Sequence, residues 1–357
     1  MKKIAIITLF GNTNYGNRLQ NYAVQTIFEK KGFKVDTLDF YLSKSRKVKA
    51  VLKNGLSLLS RKPVTKRDRL LKEFNKKYIH VRSVSAPGGE MPSALKKEYG
   101  FFAVGSDQVW NPEIRKNQRD ILFLEFADRE QRIAVSPSIG VSRIEDIYVD
   151  DLKRRLNGFP HLSCREKAGS QEIERITGRT CKHLIDPTLV LSADEWRKAA
   201  ATERTVSEQP YALLFFLGQI SSDLREKIST FCAKENLEMK IMEGSNFNFS
   251  PVSPFGFVNL IDNAQMVFTD SFHGTAFSVN LETPFYAFNR IGSSSVNTKT
   301  SSRIESLLGL FNLDDRFNAA AFTQTCDFSY ARTRLVERRD EFTGFLDLSM
   351  GTTHEEV

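Results

Sequence analysis

Short apolar runs alternate with longer amphipathic stretches along almost the whole chain, and few folds accept that alternation. A strand over Lys3 to Phe10 leads through a Gly/Asn loop into a helix from about Asn17 to Lys31, which Gly32 ends. Val35 to Phe40 reads as the next strand, and Phe101 to Val104 and Ile133 to Val135 as two more. Helices are expected over Ile144 to Leu156 and Lys167 to Ile176, then a strand over Lys182 to Ile185. Ser192-Ala193-Asp194-Glu195 is a capping box that opens a second series. Strands at Tyr211 to Leu217, Met239 to Met242, Met266 to Thr269 and Phe285 to Phe288 alternate there with helices over Ser222 to Glu235 and through Asn259 to Asn263. The expected fold class is therefore α/β, with two Rossmann-like domains facing across a cleft. They cover residues 1–190 and 191–357, the first with an insertion at 41–82 and the second with a C-terminal helical tail. In such sheets ligands sit beyond the carboxyl ends of the strands, so the loops after the strands should carry the chemistry.

A chain of 357 residues, 41% hydrophobic and 26% charged, is long enough for two such cores. No apolar run approaches the length of a membrane span, and the N-terminal apolar stretch is too short for a signal-peptide core, so a cytoplasmic protein is expected. Cys164, Cys181, Cys232 and Cys326 are widely spaced and have no neighbouring His, which argues against both a zinc site and a disulfide framework.

The net charge of +8 is unevenly spread. Between Tyr41 and Arg82 there are 14 Lys or Arg against Asp68 and Glu73, a local excess of +12 that leaves the remainder at −4. Val48, Val51, Leu52, Leu56 and Leu59 recur there at roughly helical spacing among lysines. The segment reads either as solvated helices packed on the body or as a basic amphipathic surface for an anionic membrane.

Four segments that follow strands carry candidate chemistry. Gly11-Asn12-Thr13-Asn14-Tyr15-Gly16-Asn17-Arg18 opens the first helix; it is a tight turn or a polar-ligand loop, with Asn17 and Arg18 as candidate contacts. It lacks the Lys-Ser/Thr pair of a Walker A loop. In Gly105-Ser106-Asp107-Gln108-Val109-Trp110-Asn111, Asp107 is either a cleft carboxylate or a helix cap, and Trp110 either a sugar platform or core. In Ser163-Cys164-Arg165-Glu166-Lys167, Arg165 suits anion recognition unless Glu166 neutralises it, while Asp186-Pro187 reads as a strand terminator. In the last, Thr269-Asp270-Ser271-Phe272-His273-Gly274 delivers a histidine to the start of a helix, where it can exchange protons near neutral pH.

Asn14-Tyr15-Gly16-Asn17-Arg18, Gly105 to Asn111, Ser163-x-Arg165-Glu166-Lys167, Asp186-Pro187-Thr188-Leu189 and Ser271-Phe272-His273-Gly274 occur in one order. Together they resemble the polysaccharide pyruvyl transferase family, from Lys3 to about Leu313. The resemblance implies a GT-B-like fold and transfer of pyruvate from phosphoenolpyruvate onto two hydroxyls of a sugar, in a surface polysaccharide or its lipid-linked precursor. It implies no metal and no cofactor, phosphoenolpyruvate being the donor substrate. It makes His273 the active-site histidine and general acid, Arg165 an anion anchor, and Asp107 the cleft aspartate, acting as base or orienting the acceptor. Members of the family often carry arginine two residues before the histidine, where this chain has Ser271. Arg303, after Lys299-Thr300-Ser301-Ser302 at an expected helix start, is the candidate replacement, with Ser271, Lys299 and Trp110 as further substrate contacts.

A lipid-linked acceptor would place the enzyme at the inner face of the cytoplasmic membrane, in peripheral contact with anionic lipid. Two other classes stay open. A GT-B glycosyltransferase would use the same architecture on a nucleotide sugar. A nucleic-acid-binding protein would use the basic insertion, although that segment interleaves few aromatics with its lysines.

Overall fold

The computed structural model describes every residue except 1, 11–13, 42–64, 115, 204–208, 245, 293–300 and 353–357. Expectations that rest on Gly11, Asn12, Thr13, Val48, Val51, Leu52, Leu56, Leu59 or Lys299 lie outside the described residues.

Five parallel strands form the first sheet: β1 (Lys3–Ile7), β2 (Lys34–Tyr41), β3 (Val81–Ser85), β4 (Phe101–Gly105) and β5 (Arg132–Val135), in the order β3-β2-β1-β4-β5. Ile4 to Ile7 are fully buried, as expected of a central strand covered on both faces. Helix α1 (Tyr15–Lys30) crosses from β1 to β2, and α2 (Lys66–Tyr78) precedes β3. Strand β3 begins at the end of the segment read from sequence as a basic insertion, at Val81, and runs past it to Ser85. Its Val-Arg-Ser-Val-Ser pattern is too short and polar to stand out from its surroundings.

Beyond β5, α3 (Asp146–Leu156) leads to β6 (Leu162–Cys164), then α4 (Lys167–Thr177) and β7 (Cys181–His183). β6 and β7 pair in parallel, and Ser163 ties them to β5: its Oγ accepts from the Ser136 N–H at 3.0 Å and donates to the Ala134 carbonyl at 2.6 Å.

Ser192 caps α5 (Ala193–Ala200) in the expected capping box with Glu195. The second sheet has β8 (Tyr211–Phe216), β9 (Glu238–Glu243), β10 (Asn246–Phe247), β11 (Met266–Thr269) and β12 (Phe285–Ala287), in the order β10-β9-β8-β11-β12. Only β10 runs antiparallel. Its helices are α6 (Ser222–Lys234), α7 (Pro254–Asp262), α8 (Phe272–Leu281), α9 (Ser301–Phe311) and α10 (Ser329–Met350). The fold is α/β with two Rossmann-like units, as the alternation implied.

The two units share one apolar core. Phe255 of α7 meets Tyr22, Phe74 and Tyr78 of the first half, with ring centroids 5.1, 5.0 and 4.7 Å apart. Tyr15 stacks on Phe257 at 5.0 Å and donates its hydroxyl to the Val252 carbonyl at 3.0 Å, which docks the start of α1 onto the second half. Helix α10 returns to the first half, where Lys31 pairs with Asp347 at 2.5 Å and Arg339 Nε donates to the Leu189 carbonyl at 2.8 Å.

This topology positions the site. Strand order reverses between β1 and β4 in one sheet and between β8 and β11 in the other. The Gly105–Asp107 and Asp270–His273 segments leave β4 and β11 at those two points, where open α/β sheets form their crevices.

Candidate active site

Asp107 reaches the cleft through an unusual turn. Gly105 has φ +128°, and a Cβ there would stand 2.2 Å from the Val135 carbonyl oxygen, so only glycine lets β4 end this close to β5. Gln20 of α1 fixes the next residue by accepting from the Ser106 N–H at 2.8 Å, while its own Nε2 donates to Thr8 Oγ1 at 2.9 Å. Asp107 itself has a positive φ of 33°. Its Oδ2 accepts from Asn17 Nδ2 at 2.8 Å and its Oδ1 from the Gln108 N–H at 2.8 Å. Burial alone would raise its pKa; the Arg165 charge, that of His273 when protonated, and these two hydrogen bonds outweigh it and hold Asp107 below the ordinary carboxylate value. It is an anion at neutral pH.

Arg165 leaves β6 into the same space. Its Nη1 donates to Asp186 Oδ2 at 2.8 Å, its Nε to Glu166 Oε1 at 3.2 Å, and its guanidinium lies 4.3 Å over the Phe272 ring. Burial opposes its charge, but Glu166, Asp186 and Asp107 more than restore it and raise its pKa. Glu166 and Asp186 thus engage two guanidinium nitrogens, and Nη2 is left with no partner among the described residues.

His273 stands in the first turn of α8, which Ser271 caps by accepting from the Gly274 N–H at 3.3 Å. Its ring packs on α1: a Cβ on Gly16 would lie 2.1 Å from Nδ1. On the other side Nε2 is 3.8 Å from Asp186 Oδ2 and has no hydrogen-bond partner among the described residues. Burial lowers the His273 pKa, and Arg165 and Arg303 lower it further, while Asp186 and Asp107 act the other way; the balance leaves the imidazole neutral.

Arg303 belongs to α9, which docks on the first half where Ser306 Oγ accepts from the Lys167 N–H at 3.2 Å. With the Gln108 amide turned so that its oxygen faces the guanidinium, Arg303 donates to it at 2.7 Å from Nη1 and 3.2 Å from Nη2. Its Nε has no partner among the described residues. Burial, then repulsion by Arg165, brings its pKa down to about 10, so it stays a cation. Arg165, Asp186, Phe272, Arg303 and Ser306 line one small pocket.

The structure thus brings Asp107, Asn17, Arg165, His273 and Arg303 together, and it corrects three expectations. Trp110 is not a sugar platform: it is 1% exposed, stacked 5.5 Å from Phe123 and edge-on to Phe159 at 5.2 Å in the apolar core. Arg18 is not a ligand contact. It is fully buried, donating to the Leu9 carbonyl at 2.9 Å, to Asn75 Oδ1 at 3.2 Å and to Asn17 Oδ1, and so it braces the loop from inside. The Ser271 hydroxyl is occupied as a helix cap rather than turned to a substrate.

Sequence reasoning passed over Asp186 as a strand terminator, although a carboxylate ending a strand beside Arg165 was the available signal. It also missed Arg290, which follows β12, donates from Nη2 to the Asp270 carbonyl at 3.2 Å and adds its charge to the Arg303 neighbourhood. Among the described residues no group of three or more His, Cys, Asp or Glu is placed to hold a metal ion.

Two parallel-sheet units with a charged cluster at their facing switch points define a GT-B-like enzyme. Staphylococcus aureus MnaA, in a co-structure with UDP, is similar over 100% of this chain and 99% of its own, with a TM-score of 0.50 at 9% identity. Arabidopsis thaliana UGT89C1 with UDP-L-rhamnose is similar over 99% of both chains, with a TM-score of 0.49 at 10% identity. At 9% identity the likeness to MnaA is one of fold. No curated protein matches the sequence. The model of the polysaccharide pyruvyl transferase family matches residues 14–291, and the chain belongs to that family of transferases.

Proposed function

We propose that the chain transfers pyruvate from phosphoenolpyruvate to two hydroxyls of one sugar, in a polysaccharide or its lipid-linked precursor, and releases phosphate. One observation carries the donor reading. Arg165 Nη2, Arg303 Nε and His273 Nε2 are buried in one cluster and lack partners among the described residues. Unpaired buried cationic donors are costly and ask for an anion. Guanidinium groups from both halves suit a compact ligand with a carboxylate at one end and a phosphate at the other.

The chemistry follows from the charges. The donor's negative charge offsets Arg165 and Arg303, the two groups that oppose protonation of His273, so donor binding raises the histidine's affinity for a proton. His273 then protonates the methylene carbon, and C2 gains cationic character. Asp107, an anion held in place by Asn17, receives the proton of the sugar hydroxyl that attacks C2. The C2–O bond to phosphate breaks and phosphate leaves; a second hydroxyl of the sugar then adds to C2 and gives its proton back to the now neutral His273, closing the ketal. Preorganised charges in a buried site provide much of the rate.

The exposed stripe of α2 supports a reading in which this reaction takes place at an anionic surface. Lys66, Arg69, Lys72, Lys76 and Lys77 face outward against Glu73 alone, while Leu71, Phe74 and Asn75 face the core. Such a face suits peripheral contact with anionic lipid, where a lipid-linked acceptor would lie. No helix among the described residues is long and apolar enough to cross a membrane.

The experiment offers phosphoenolpyruvate or UDP-sugars together with a sugar acceptor. Phosphate release that disappears in His273→Ala supports pyruvyl transfer. Release of UDP instead would replace it with the glycosyltransferase reading, the nucleotide being what the MnaA co-structure holds.

A further inference from the structure

Asp186 is buried to 1% exposure and is the most heavily engaged acceptor in the pocket. Its Oδ1 accepts from the Thr188 N–H at 2.9 Å and from Thr188 Oγ1 at 2.8 Å. Its Oδ2 accepts from Arg165 Nη1 at 2.8 Å and from Ser106 Oγ at 3.1 Å. That same oxygen stands 3.8 Å from His273 Nε2, too far for a hydrogen bond but close for a charge contact with low solvent screening.

Four donors on two oxygens leave this carboxylate poorly placed to accept a proton. Although burial opposes its charge, His273 when protonated, Arg165 and the Thr188 N–H hold its pKa below the ordinary value. It acts on His273 as a fixed charge, not as a relay. The Thr188 bonds come from the one-turn helix Pro187–Val190, whose first turn the Asp186 side chain caps, so the carboxylate is anchored by its own backbone neighbourhood.

We propose that Asp186 is a positioning residue of the transfer site: it holds the Arg165 guanidinium with Nη2 free for a bound anion, and it supplies the fixed negative charge against which the His273 imidazole takes up its proton. Only the destination of that proton rests on the pyruvyl-transfer reading.

Among the described residues, the charged groups that act most strongly on His273 are Asp186 after β7, Arg165 after β6, Asp107 after β4 and Arg303 on α9, two of each sign. Against Nδ1 lies the uncharged backbone of Gly16. In the empty site the two cations oppose the two carboxylates, and burial, the largest influence, decides for the neutral ring. An anion held by Arg165 and Arg303 cancels the cations and leaves Asp186 and Asp107 unopposed. The acid is therefore charged when the donor is in place and neutral when it is absent.

The test reads the His273 titration directly by NMR of the imidazole C–H, with the resonance assigned by its loss in His273→Gln. Asp186→Asn keeps the size of the side chain and removes the charge. It should lower the His273 pKa by about one unit or more, as expected for losing an opposite charge at this range. An unchanged titration in a folded Asp186→Asn protein overturns the proposal.

Asp186→Asn also strips a buried guanidinium of a partner, which can prevent folding. The comparison is then repeated between Arg165→Met and Arg165→Met/Asp186→Asn, where no guanidinium is stranded. The same downward shift is expected, and its absence again overturns the charge contact. A second readout uses inorganic phosphate with the wild-type protein: saturating phosphate should raise the His273 pKa. Neither titration needs phosphoenolpyruvate, so a protein that shows both shifts but transfers no pyruvyl group would refute the donor reading and leave the role of Asp186 standing.

Discussion

A Cβ on Gly16 would stand 2.1 Å from Nδ1 of His273, so the first turn of α1 and the imidazole share a space that only glycine leaves open. Alanine is the better helix former by roughly 0.5–1 kcal/mol, and locally it should be welcome. Its methyl group must nevertheless push the ring aside. Gly16→Ala should therefore lower kcat by about 100-fold, the scale set by misplacing a catalytic group by one ångström, with only a small change in melting temperature. Steady-state phosphate release and thermal unfolding measure the two effects. Unchanged kcat would mean that the ring moves without consequence.

Arg165 and Arg303 differ in what they leave behind. Arg165→Ala strands Asp186 and Glu166 as buried carboxylates, so it should cost stability by about 3–5 kcal/mol as well as donor affinity. Arg303→Ala removes a cation that among the described residues is bonded to the neutral Gln108 amide, so it should weaken the donor while sparing the fold. Denaturant unfolding and calorimetric titration with phosphoenolpyruvate separate these outcomes. Equal stability loss in both variants would contradict the arrangement of partners.

Burial, and then the Arg338 guanidinium, push the His183 imidazole down to about 4. A histidine depressed in this way is neutral in the native state but protonates in the unfolded chain below about pH 6.5. Stability is thus fully present above that pH and is lost as the pH falls towards 4. Between pH 7 and 4.5 the wild type should lose about 2–3 kcal/mol more than His183→Gln. Urea unfolding at both pH values gives the difference, and parallel losses would show that His183 titrates normally.

The outward face of α2 carries Lys66, Arg69, Lys72, Lys76 and Lys77. At about 1 kcal/mol per basic residue near an anionic surface, their summed attraction suffices for reversible binding. Co-sedimentation should show binding to vesicles containing phosphatidylglycerol, weakening with salt, and little binding to phosphatidylcholine alone. Changing the four lysines to glutamine should reduce it at least tenfold. Binding that ignores lipid charge would remove the stripe from consideration.

Local sequence carried most of the elements and their order, with β3 and β10 the exceptions. Strand and helix periods, the Ser192 to Glu195 capping box and the glycine after α1 are read within a few residues, and they suffice for an α/β chain with two sheets. It also marked the loops after β4, β6 and β11, because parallel sheets open their crevices at strand ends. The partners of each side chain were not legible. Trp110 and Asp107 stand three positions apart in one motif, yet one fills the core and the other faces the site, because the Gly105–Asp107 turn breaks the period that would assign faces. Asp186 looked like punctuation until β7 brought it beside Arg165 and His273. The contact between Gly16 and His273 joins residues from opposite halves of the chain, and it exists only because Tyr15 and Phe255 fasten the two units over one shared core. Local rules act over a few residues, whereas a site built from two sheets is decided by how those sheets pack.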